Sequence, residues 1–310
     1  MSSPSDPVPA SGAAASGHGG KGAAGAGRHG IADRLLAVRW GEKSFIALYL
    51  SLISGVVVAL QYDVAAPFYA TSAIDLLIPF GAFWRSLHFY ASQLFFLFFL
   101  CHLTVIVLAA SHGFPRARWL LLVASLPVTV LLLFTGYVLR GDATGEAAGA
   151  IAENIALSVP LAGEWLNALL FSINRDGLLR VYANHLVGLG LLWLVLSWDH
   201  LRRYRVGFAR HGGLTVALVG FCLVVPAPLE PARLGVFHIA GPWFFLGLQE
   251  ILRYLPPFWA GVVFPSLLLL LLLLVPAGIR WRRRALRGIA AWVALYAVLT
   301  LIALLRSSWS

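Results

Sequence analysis

An all-α membrane protein of about seven transmembrane helices, a four-helix bundle followed by three more, is predicted by three observations. First, 60% of the 310 residues are hydrophobic, only 12% are charged, and the mean hydropathy is +0.83. A soluble domain carries about twice that charged fraction. Second, seven apolar stretches are long enough to cross a bilayer. Third, two of those stretches each hold a pair of histidines at matched spacing: His88 and His102, with thirteen residues between them, then His185 and His200, with fourteen. The net charge of +10 therefore reads as membrane topology, and no nucleic-acid module is present.

The elements follow in order. Residues 1–30, rich in Gly, Ala and Ser and including His18 and His29, read as a disordered tail. They lack the apolar core of a signal peptide. Ile31–Trp40 reads as a short amphipathic helix on the inner membrane surface, with Ile31, Leu35, Leu36 and Val38 apolar and Asp33, Arg34 and Arg39 facing water. Spans A to D are Ser44–Gln61, Leu87–Ser111, Trp119–Leu139 and Val181–Asp199. Spans E to G are Gly212–Leu229, Phe258–Ile279 and Gly288–Leu305. Pro226 and Pro228 crowd the end of E. The organisation expected is a tail (1–30), the four-helix bundle (31–210) and a three-helix C-terminal part (211–310). Leu161–Phe171, inside the long C–D loop, reads as a short interfacial helix.

Orientation comes from the basic residues. Sixteen of the 23 Lys and Arg fall before A or in the B–C, D–E and F–G loops, while nine acids sit on the other side. The N-terminus is expected in the cytoplasm and Ser310 outside, in a bacterial inner membrane.

Histidine inside a bilayer is costly and normally has a partner. One isolated histidine is well explained by a hydrogen bond to a neighbouring helix; four in two matched pairs are not. At about 1.5 Å per residue each pair spans roughly 21–22 Å of helix, and at about 100° per residue its members return to within about 60° of one face. B and D run in the same direction, so His88 and His185 share the outer level and His102 and His200 the inner one. That registration suits two stacked, non-covalent haems b, each with two axial imidazoles. Such irons carry electrons and bind no substrate. Arg85 and Arg180 are candidates to meet propionates of the outer haem, although either alone reads equally as a snorkelling interfacial arginine. Gly41 and Gly55, fourteen apart in A, and Gly136 in C permit close approach to a haem face; membrane helices also use glycine for packing. Cys101 and Cys222 read as small buried apolar residues, and no C-x-x-C-H motif supports covalent haem.

These residues resemble the cytochrome b family of respiratory and photosynthetic cytochrome bc complexes. The resemblance is carried by Arg85-Ser86-Leu87-His88, His102, Phe134-Thr135-Gly136-Tyr137-Val138-Leu139, Arg180-Val181-Tyr182-Ala183-Asn184-His185 and His200. It continues through Trp243-Phe244-Phe245-Leu246 and Ile251-Leu252-Arg253, ahead of Pro256, and spans roughly Ile31 to Leu305. The fourteen-residue separation in D and the stop after G are similar to the chloroplast and cyanobacterial branch with its second subunit fused on. The resemblance implies haems at both histidine levels and a quinone site near each, with Tyr137, Trp243, Phe244 and Phe245 at the outer one. It also implies a lipid-embedded homodimer working with a Rieske iron–sulfur protein; a multihaem c-type cytochrome is the alternative partner.

Four departures from the family pattern matter. Gly241-Pro242-Trp243-Phe244 stands where the family has Pro-Glu-Trp-Tyr, so the glutamate thought to take a quinol proton is absent. Arg140-Gly141 replaces a Pro-Trp pair. Val105 replaces an arginine three residues beyond the inner histidine of B. Span A has no cysteine for an additional covalent haem. Asp142, Glu146, Glu153, Glu250 and His238 are proton-acceptor candidates by location, and each reads equally as a loop acid, an ion-pair member or, for His238, an interfacial histidine. Three functions are open at this point. They are a dihaem subunit of a quinol-oxidising complex, an electron-exchanging anchor that does not bifurcate, and a non-redox transporter or structural bundle, which leaves the paired histidines unexplained.

Overall fold

The computed structural model describes residues 35–110, 115–172, 177–203, 205–231, 239–276 and 278–307. Two compact units are present, Met1–Val38 and Arg39–Ser310. Of the first, residues 35–37 are helical. The rest of the expected tail and most of the Ile31–Trp40 helix lie outside the described residues.

The second unit is helical throughout its described regular structure, with no strand among the described residues. Five helices are long and apolar enough to span a bilayer: Trp40–Ala59, Gly81–Leu108, Arg116–Val138, Leu178–Leu201 and Ile279–Ser307. Two shorter apolar helices, Phe208–Val224 and Trp259–Leu274, complete the seven expected spans. In chain order the helices are α1 (Trp40–Ala59), α2 (Pro67–Leu77), α3 (Gly81–Val105), α4 (Arg116–Val138), α5 (Ala143–Leu157) and α6 (Gly163–Leu170). They continue with α7 (Leu178–Ala183), α8 (Leu189–Leu201), α9 (Gly212–Val224), α10 (Leu246–Ile251), α11 (Phe264–Leu274) and α12 (Ile279–Ser307).

Several boundaries differ from those read in the sequence. α3 starts six residues before span B, and α12 starts nine residues before span G because the run Arg280–Arg287 is helical. Hydropathy marks only the bilayer-buried part of a helix; arginines at its end reach water along their own stems. Span E stops at Val224, Val225 is extended and 226–229 are not helical, as Pro226 and Pro228 favour. α6 falls within the expected interfacial helix. α2 and α5 were not expected. α2 opens on Pro67 at its first position, where a missing N–H costs nothing. α5 is capped by Asp142, whose carboxylate accepts the Gly145 N–H at 2.9 Å.

The bundle packs as two pairs, α1 along α3 and α4 along α8. The face of α1 toward α3 is a stripe of small buried residues, Ser44, Ala47, Ser51 and Ser54. Without a hydrophobic drive between helices in lipid, such residues bring backbones close and bond across the seam. Ser51 and Ser92 hydroxyls lie 2.8 Å apart, and the Ser44 hydroxyl donates to the Phe95 carbonyl at 3.2 Å. Between α4 and α8, the buried Trp193 indole N–H donates to the Thr129 hydroxyl at 2.9 Å. α11 docks on α4, where the Trp119 indole N–H donates to the Leu272 carbonyl at 2.8 Å. The histidine helices α3 and α8 therefore pack on α1 and α4 rather than closely on each other, and a gap separates the two pairs.

Arg85, buried in α3, locks the outer end. Its guanidinium donates to both Asp75 carboxylate oxygens at 2.5 and 2.6 Å and to the Ala227 carbonyl at 2.6 Å. Removing one partner of a buried pair leaves an uncompensated charge. Asp75→Asn is expected to destabilise the fold by about 3 kcal/mol, the low end of that class, because Asp75 retains some solvent contact. A thermal melt of the detergent-solubilised protein reads this, and an unchanged midpoint would show the pair to be unimportant.

Candidate functional site: two facing histidine pairs

The gap between the helix pairs is spanned at two levels. His88 from α3 faces His185, with ring centroids 6.2 Å apart and planes at 86°. Deeper along the same helices, His102 faces His200 at 5.8 Å and 47°. Metal–imidazole bonds of about 2.0 Å place two rings on opposite sides of one ion with centroids about 6 Å apart. Both levels match that separation.

The matching is not trivial, because His88 and His102 are fourteen positions apart while His185 and His200 are fifteen. A wide turn at Asn184–Gly188 accounts for the surplus. Its i→i+5 bonding takes one extra residue into a single turn. His185 sits inside that turn, so the second pair keeps the angular relation of the first.

The outer rings are oriented by their neighbours. His88 Nδ1 lies 2.9 Å from the Ser51 carbonyl oxygen, which can only accept, so Nδ1 carries the proton. His185 Nδ1 lies 2.9 Å from the Thr135 hydroxyl. That hydroxyl donates to the Leu131 carbonyl at 2.8 Å and so accepts from the ring. In each neutral imidazole the Nε2 lone pair is left to face the gap, which is how a ligating histidine is held from behind.

Glycines line the same levels. A Cβ on Gly55 would meet His88 Cε1 at 2.8 Å, one on Gly41 would meet His102 Cε1 at 2.9 Å, and one on Gly136 would meet His185 Cε1 at 3.2 Å. All three glycines singled out in the sequence thus abut one of the four rings. Around the inner pair lies an apolar cleft walled by all four bundle helices. Phe95, Phe99, Trp119 and Trp193 form its aromatic walls. Paired axial imidazoles, glycines where a flat face must approach and an apolar slot together fit a macrocyclic metal group.

Not every candidate converges on the rings. Arg85 is committed to Asp75, and the Arg180 guanidinium donates to the Ala168 carbonyl at 2.8 Å on an exposed surface. Near the inner level Asp199 gathers Arg118, Arg202 and Arg203 at 2.8, 2.5 and 3.0 Å. Tyr137, Trp243, Phe244 and Phe245 do come together. Tyr137 and Phe244 ring centroids are 5.7 Å apart, Phe244 and Phe245 5.1 Å, and Trp243 and Phe244 5.5 Å. Phe89 and Phe96 of α3, not singled out in the sequence, complete this cluster at 5.8 Å from Tyr137 and 5.7 Å from Phe244. Among the acids, Asp142 is 1% exposed and paired with Arg140. Glu250 is 2% exposed, accepts from the Tyr254 hydroxyl at 2.8 Å and pairs with Arg306 at 3.1 Å. Glu146 faces outward and Glu153 is buried. His238 lies outside the described residues.

Fold and site together define a multi-span helical membrane protein with two stacked histidine pairs in a four-helix bundle. Residues 93–212 match the family described as cytochrome b (N-terminal)/b6/petB. Cytochrome b of Albinaria caerulea is 25% identical over 281 residues, covering 78% of this chain and 76% of the relative. Cytochrome b6 of Heliobacterium mobile is 27% identical over 172 residues, 54% of this chain and 81% of the relative. A chain of a hyperthermophilic respiratory Complex III has the same fold, with a TM-score of 0.63 at 20% identity over 87% of this chain and 92% of that one. Over most of its length the chain is similar to cytochromes b.

Proposed function

We propose that this chain is the dihaem b-type cytochrome subunit of a cytochrome bc-type complex, moving electrons across the membrane between quinol or quinone and a redox partner. The observation that carries the reading is the pair of facing imidazoles at two levels, each level backed by glycine. His88 and His185 would hold the outer haem b and His102 and His200 the inner one, without covalent attachment. The groups supply reversible one-electron chemistry at iron. The chain's own residues do the rest. Ser51 and Thr135 fix the outer imidazoles in the ligating tautomer. Gly41, Gly55 and Gly136 leave room for flat faces, and the apolar walls exclude water. With two histidines of the chain committed to each group, the iron would have no position left for substrate, which would be handled elsewhere.

The bundle part (31–210) carries this wire, and the three-helix part (211–310) brings Trp243, Phe244 and Phe245 to Tyr137, where a quinone ring would sit. A Rieske protein or a multihaem c-type cytochrome would take electrons at the outer face of a homodimer. That face lies outside a bacterial inner membrane, with the N-terminus in the cytoplasm. A second reading, a quinone-linked anchor that does not bifurcate, is favoured by one observation: Pro242 stands where the family has its glutamate.

One experiment separates them. In membranes poised with excess quinol, a pulse of high-potential oxidant is expected to produce transient extra reduction of haem b. A bifurcating site must send its second electron inward when the first is withdrawn. Simple oxidation of haem b after the pulse would support the anchor, and no reduction by quinol at all would overturn both.

A further inference from the structure

A buried charged group at the outer end of α4 is unused by the reading above. Arg140 is 9% exposed, and its guanidinium carbon lies 5.1 Å from the centre of the Tyr137 ring and 5.9 Å from that of Phe89. One terminal nitrogen pairs with Asp142. Asp142 is itself fully committed, accepting the backbone N–H of Gly145 at 2.9 Å and of Glu230 at 3.0 Å. Glu230 in turn accepts from the Thr144 hydroxyl at 2.9 Å. Asp142, fixed by these bonds, therefore anchors one end of the guanidinium. Its Nε is buried and has no hydrogen-bond partner. An unmet donor on a buried cation is costly, and such groups call for an explanation such as a ligand that supplies the acceptor.

We propose that Arg140 donates a hydrogen bond to a ring oxygen of a quinone headgroup seated on the Tyr137–Phe89–Phe244 cluster. This rests on the quinone reading above. The ligand class follows from the surroundings: a flat ring to lie among aromatic faces, with an oxygen at its edge to meet the cation. A quinone site there would differ in kind from one built around a carboxylate. A cation beside a quinol hydroxyl favours the ionised oxygen, so this site promotes proton loss by stabilising what remains. Arg140 stands at the first position of the pair by which this sequence departs from the family's Pro-Trp pattern, in the same chain that lacks the glutamate.

The test uses the purified complex with decylubiquinol and menadiol as electron donors and haem b reduction as readout. The double variant Arg140→Gln/Asp142→Asn removes both charges without stranding either. It is expected to keep its haem content and raise the KM for the effective quinol about ten- to a hundredfold, the range of one charge-assisted bond. Arg140→Lys keeps the charge but loses the fork, and its KM is expected to fall between the two. A double variant with full haem content and an unchanged KM overturns the proposal while leaving the quinone reading intact. A wild-type complex reduced by dithionite but by neither quinol overturns the quinone reading and this proposal with it.

Discussion

His185→Ala is expected to yield a folded chain that has lost its outer haem and kept its inner one. The two levels are fourteen residues apart on α3, roughly 21 Å, and share no ligand. His185 faces only His88 across the gap at 6.2 Å, while His102 and His200 face each other at 5.8 Å. Haem content should fall by half, and the remaining haem should titrate as a single component. His200→Ala should give the complementary loss. Equal loss of both haems from a variant that still folds would contradict the assignment of ligands to levels, since it would mean that the histidines act through the bundle as a whole.

The second large effect is steric. Gly55→Val is expected to abolish the outer haem with every histidine still in place. A Cβ at 55 already meets His88 Cε1 at 2.8 Å, closer than atoms tolerate. The imidazole cannot swing away without abandoning both the Ser51 carbonyl and the metal position. Gly41→Val should do the same at the inner level, where the approach to His102 is 2.9 Å. Gly136→Ala, at 3.2 Å from His185, needs only a small shift, and partial outer-haem loss is expected. Gly190→Ala is the control: it lies on α8 with nothing within 4 Å of its Cβ and should leave the spectrum unchanged. Full haem occupancy in Gly55→Val would show that the close approach has another purpose.

Much of this site was legible in the sequence because bilayer physics leaves few uses for histidine. The spans showed as apolar runs, the four histidines stood out against them, and Gly41 and Gly55 shared their fourteen-residue period. What sequence periodicity could not show was how fifteen positions in one helix match fourteen in the other. The wide turn at Asn184–Gly188 has no composition of its own, being an accommodation to what packs around it. α2 and α5 escaped for a different reason. They are too short to span a bilayer, carry no strong apolar period, and are announced only by Pro67 and by the Asp142 cap. The fates of the charged residues were least legible. Arg85 resembles a propionate partner until its position beside Asp75 and the Ala227 carbonyl is known. Arg140 resembles a loop arginine until it is found buried over Tyr137. Which partner a long cationic side chain takes is decided by tertiary geometry.

Haem stoichiometry in the purified chain, taken together with the spin state of the iron, tests the central claim most directly. Two non-covalent b haems per polypeptide, both low-spin with paired imidazole ligands, are predicted. One haem or none, or a high-spin iron with an open coordination position in freshly isolated protein, would contradict it.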